Sequence, residues 1–76
     1  MATHNRATLE WMLPEAESFA ARGAELIQEQ EARVAALQHN EVMAEHSKTL
    51  LALMRYTQEL DISHVALLRR ELGLTE

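Results

Sequence analysis

Two apolar stripes run along this chain, and they cannot share one side of a straight helix. The first is Ala16, Phe19, Ala20, Gly23, Leu26, Ile27, Gln30, Val34 and Leu37. The second is Leu50, Leu53, Met54, Thr57, Leu60, His64, Leu67, Leu68 and Leu72. Both advance in steps of three and four, the repeat of a helix face. Counted from Phe19 at about 100° per residue, the first centres at about 35° and the second at about 190°. One rod would need a separate partner on each side. Folding the chain back near residues 39–42 instead turns the stripes toward each other. The expectation is an all-α fold, an antiparallel two-helix hairpin over residues 14–38 and 41–72 with a short helical turn before it. The alternative is a single long helix in a coiled coil.

The turn has to come from LQHNEVMAEHS, residues 37–47, which contains neither glycine nor proline. Asn40 is the residue suited to it, because asparagine tolerates left-handed angles and also caps helix N-termini. Glu41 then falls in the first turn of the second helix, where a carboxylate favours the positive end of the dipole. Pro14 suits the first turn of the opening helix, and it biases Leu13 away from helical angles. Trp11 and Met12 are therefore expected to cap the open end of the hairpin, near Leu72 and Leu74, or else to form an exposed docking segment. Gly73 fits a C-terminal cap.

Seventy-six residues make one domain: a cap segment over 1–13, the hairpin over 14–72 and a tail over 73–76. No cysteine is present to staple it, and a core this small supplements its stability readily by self-association. The net charge is −5, and residues 10–45 hold eight acids against two arginines. Such a field repels phosphate backbones, so no nucleic-acid partner is expected. No apolar run is long enough to span a bilayer, and the first residues do not read as a signal peptide. A cytoplasmic protein without a membrane partner is the expectation.

Gly23, Gln30 and Leu37 follow one another at seven-residue intervals, and Leu50, Leu51, Met54, His64 and Leu68 come after them. This pattern resembles a group of short, uncharacterised helical-hairpin proteins of alphaproteobacteria over about residues 19–68. The resemblance implies a helical hairpin and brings no activity, cofactor or partner. Those proteins carry an Asp-Gly turn, whereas Glu41 stands at the glycine position here.

Chemistry has little to work with. There is no cysteine nucleophile, glycine-rich phosphate loop or His-Glu-x-x-His segment. Ser18, Ser47 and Ser63 are single serines without a base-orienter pattern beside them, and the adjacent Ser63 and His64 point about 100° apart on a helix, so no enzyme and no catalytic residue is expected. Metal-ligating residue types gather at His39, Glu41, Glu45 and His46, and Asp61 and His64 stand one turn apart. The first stripe offers no inward glutamate to complete a site, so solvated histidines near the turn and a core-edge His64 are expected, with no metal or cofactor. Arg69 and Arg70 favour the C-terminal end of the second helix rather than DNA. Gly23 suggests a close helix approach, facing roughly Asp61. Gln30 would face roughly Met54 and bond Tyr56 or Thr57. Both are equally explained as tolerated residues at a stripe edge.

What remains is a non-catalytic interaction or oligomerisation module. Apolar positions outside the stripes, Leu51, Val65, Ala35, Ala36 and Val42, are expected to be covered by a second copy in a dimeric four-helix bundle, with Trp11 also at the interface. Another protein is a further possible partner. The alternative is a small metal- or pH-responsive regulator using His39, His46 or His64.

Overall fold

The computed structural model describes residues 5–74. The first four residues of the expected cap segment and the last two of the expected tail lie outside them. Two helices make up the fold: α1 over Arg6–Ala36 and α2 over Glu41–Glu71, packed antiparallel as a hairpin. Each has 31 residues, a length of about 46 Å. The molecule is a rod of 53 × 20 × 19 Å with a radius of gyration of 16.6 Å, against about 11 Å for a compact domain of this length.

The turn works without glycine because no residue in it is left-handed. Gly73 has the only positive φ among the described residues. Asn40 is extended, at φ −128° and ψ 95°, and its Oδ1 accepts from the Met43 amide at 3.2 Å. The Asn40 amide donates to the Leu37 carbonyl at 2.9 Å, which closes the connection. Glu41 follows as the first helical residue, as expected. At the other end of α2, Gly73 at φ 73° donates to Arg70 and Leu74 donates to Arg69. This pair of bonds is the Schellman ending that uses glycine's freedom.

α1 begins eight residues earlier than the expected start at Pro14. Asn5 caps it, accepting from the Thr8 amide at 2.8 Å, and the helix runs unbroken through Pro14. A proline in a helix interior costs about 3 kcal/mol. The opposing term is burial: Leu9, Leu13 and Ala16 pack on Leu68 and Leu72, with Met12 and Val65 alongside. Each leucine so buried contributes about 1.5–3 kcal/mol, which offsets the proline. Arg6 adds a bond from Nη1 to the Leu72 carbonyl at 3.3 Å. Trp11 is no part of this cap; it is 67% exposed.

The seam repeats every seven residues on both helices. Its positions in α1 are Leu9, Leu13, Ala16, Ala20, Gly23, Ile27, Gln30, Val34 and Leu37, all buried or half-buried. Those in α2 are Ala44, Ser47, Leu51, Met54, Gln58, Asp61, Val65, Leu68 and Leu72. This corrects the expected stripes. Phe19 and Leu26 leave the seam of α1, and Leu50, Leu53, Thr57, Leu60, His64 and Leu67 leave that of α2. Leu51 and Val65, expected outside, are inside. The shift is one residue, about 100° of helix rotation. Small side chains and ion pairs account for it. Ala16, Ala20, Gly23, Ala44 and Ser47 let the backbones approach. The same rotation brings Glu17 to Arg69 at 2.8 Å and Glu31 to Arg55 at 2.7 Å along one edge.

Candidate functional site

The two edges of the hairpin differ in chemistry. One carries the interhelix ion pairs. The other consists of the positions one residue before each seam position; it is mainly apolar along α2 and mixed along α1, where Glu15, Arg22 and Glu29 alternate with apolar residues. Along α1 these include Met12, Phe19 and Leu26, seven residues apart; along α2 they include Leu50, Leu53, Leu60 and Leu67. Phe19 is 66% exposed, Leu53 59% and Leu60 53%. Thr57 lies in the same run, and its hydroxyl donates to the Leu53 carbonyl at 3.0 Å.

Two depressions lie along this edge. A groove of about 360 Å³ has walls of Phe19, Leu26, Leu50 and Leu53 and a floor of Gly23, Met54 and Gln58. A smaller hollow of about 230 Å³ is lined by Trp11, Met12, Glu15, Ala16, Phe19, Asp61 and His64. Phe19 and Asp61 border both.

Polar groups beneath the groove set its shape. Gln58 donates from Nε2 to the Ala20 carbonyl at 2.8 Å, and its Oε1 is buried without a hydrogen-bond partner among the described residues. Gly23 lies against that oxygen, with Asp61 next nearest. Gln30, 2% exposed, donates from Nε2 to the Ser47 carbonyl at 3.0 Å and accepts from Arg33 Nη1 at 3.3 Å. The expected bond to Tyr56 or Thr57 is not the one formed. Sequence reasoning also missed Gln58, although its place seven residues from both Leu51 and Val65 marks it as a seam position.

The expected site residues are dispersed. Of the interface set, Trp11 stands at one end of the apolar edge, while Val42 is exposed beside the turn and lines neither depression. Leu51 is 7% exposed, and Val65 is half-buried against the leucine cluster. Glu41 and Glu45 border a separate hollow near the turn, where Glu45 lies 3.5 Å from Lys48. His39 sits exposed in the turn, and His46 is exposed on α2. Asp61 and His64 share the hollow beside Trp11, but His64 is exposed rather than a bonded core-edge residue. Among the described residues no three His, Asp or Glu side chains come together in a way that could hold a metal ion. No described helix is long and apolar enough to cross a membrane. Comparison with family models, with curated proteins and with solved structures gives no match.

Proposed function

We propose that this chain is a non-catalytic helical module that self-associates, packing its apolar edge on a second copy to form a four-helix bundle. The observation that carries this reading is the exposed edge of Phe19, Leu26, Leu50, Leu53, Leu60 and Leu67 opposite an edge of ion pairs. Area supports it too. The chain exposes 5936 Å², whereas a folded monomer of this mass exposes about 4,700 Å². The excess, about 1,200 Å², is more than the roughly 800 Å² that each partner buries in a stable protein interface. A second hairpin supplies a matching apolar surface of the same length and needs no further component.

Sedimentation equilibrium over a wide concentration range tests this, with two variants as a matched pair. The native chain is expected at twice the chain mass. Leu60→Glu places a carboxylate on the apolar edge and is expected to shift the mass to that of one chain. Ile62→Glu places the same carboxylate at an exposed position on the other edge and is expected to leave the dimer intact. A native mass of one chain throughout would overturn the proposal.

A further inference from the structure

We infer that the two copies pair antiparallel, α2 against α2, about a two-fold axis that passes beside residues 58 and 59. This rests on the self-association reading and adds the geometry. The apolar positions of α2 are Leu50, Leu53, Thr57, Leu60, His64 and Leu67. Their gaps are three, four, three, four and three, a series that reads the same in both directions. Laid antiparallel, two such stripes match position by position. Leu50 meets Leu67 of the second copy, Leu53 meets His64, and Thr57 meets Leu60.

Charge selects this register from its neighbours. The next positions outward on the same edge are His46 and Glu71, and the axis brings them together at both ends, an imidazole donor opposite a carboxylate. Sliding one copy by seven residues in one direction sets His46 on His64 instead. Sliding it the other way sets Glu71 on Leu53. A parallel arrangement of α2 on α2 sets Glu71 on Glu71 and each histidine on itself. Packing α2 on α1 of the second copy lays leucines over an edge where Met12, Phe19 and Leu26 alternate with Glu15, Arg22 and Glu29, and burying unpaired charge is costly.

The first helix matches at its apolar positions, while the same two-fold sets Arg22 beside its own copy and Glu15 near Glu29. Gly23 is level with Gln58 across the hairpin, so the same axis passes beside Gly23. Phe19 and Leu26 lie four and three residues to either side of it, and the two-fold exchanges them: Phe19 of each copy meets Leu26 of the other. Arg22, the charge nearest the axis, is already within 3.5 Å of Glu25 in its own chain.

Because the chain has no native cysteine, single spin labels report this geometry directly by pulsed dipolar spectroscopy. His39→Cys labels the turn and Glu59→Cys labels the middle of α2, both exposed and neither on the apolar edge of the axis region. The antiparallel pairing puts the two turns at opposite ends, with a label separation of about 55–60 Å at position 39 and a much shorter one at 59. Short separations at both positions, with a dimeric mass, would overturn the antiparallel axis while leaving self-association standing. Absence of any intermolecular distance at either position, with a monomeric mass, would overturn both.

Discussion

Gln58 lies across the seam from Gly23, with its amide oxygen in the space that a Cβ at position 23 would occupy. Its Nε2 is committed to the Ala20 carbonyl at 2.8 Å, so the amide cannot swing aside without losing that bond. Alanine is favoured over glycine in a helix interior by about 1 kcal/mol. Gly23→Ala is therefore expected to stabilise the hairpin clearly more in a Gln58→Ala background than in the native chain, with a coupling on the order of 1 kcal/mol. Chemical denaturation of the four chains of this cycle measures it. Equal effects in the two backgrounds would mean that the contact does not restrain the helices.

Gln30 is the most enclosed side chain of the hairpin. Gln30→Ala removes both its bonds and leaves a void, at an expected cost of about 1–3 kcal/mol. Gln30→Leu keeps the volume and removes the polar group, and is expected to stay within about 1 kcal/mol of the native stability. A large loss in the leucine variant would show that the bond to Ser47 matters to stability beyond the space that the side chain fills.

Pro14 sits exposed inside α1, where it leaves the Glu10 carbonyl without its helical donor. Pro14→Ala restores that donor and removes the ring, and is expected to raise the melting temperature, with an upper bound of about 3 kcal/mol on the gain. An unchanged or lowered melting temperature would assign the proline a favourable part in the packing around Leu13 that the helix geometry does not reveal.

The ion pairs Glu17–Arg69 and Glu31–Arg55 are well formed, but their side chains are 40–56% exposed. Water screening limits each to about 0.2–1 kcal/mol. Arg55→Ala and Arg69→Ala are expected to cost no more than this and to add when combined, because the sites stand about 21 Å apart along α2. Thermal melting of the single and double variants checks both statements. A double variant that loses far more than the two singles would show the ionic edge acting as one unit.

Much of the hairpin is readable in the residues. Opposed stripes require a reversal, Asn40 supplies the cap that makes one, and Gly73 marks where α2 stops. The facing surfaces are harder to read, because α2 carries two adjacent stripes displaced by one residue. Leu50, Leu53, Leu60 and Leu67 are more apolar than Ser47, Gln58 and Asp61, so hydrophobicity alone assigns the wrong set to the interior. What decides is close approach at Gly23 and the alanines, together with pairs between residues distant in sequence, Glu17 with Arg69 among them. Such long-range terms have no local trace. Pro14 misleads for the same reason: its local effect on Leu13 is real, but burial against Leu68 outweighs it.

The leucine cluster at the open end joins Leu9 and Leu13 to Leu68 and Leu72, residues separated by most of the chain. Near the turn, the seam holds smaller or polar side chains such as Ala44 and Ser47. Zipping from the turn also has to cross mid-rod layers of little reward, where Ala20 and Gly23 face Gln58 and Asp61, and the largest gain arrives only on completion. Partly zipped hairpins are left with little to hold them. The rod should melt as one unit despite its length, and trimming Leu9 or Leu13 should weaken the turn as much as the end where those residues lie.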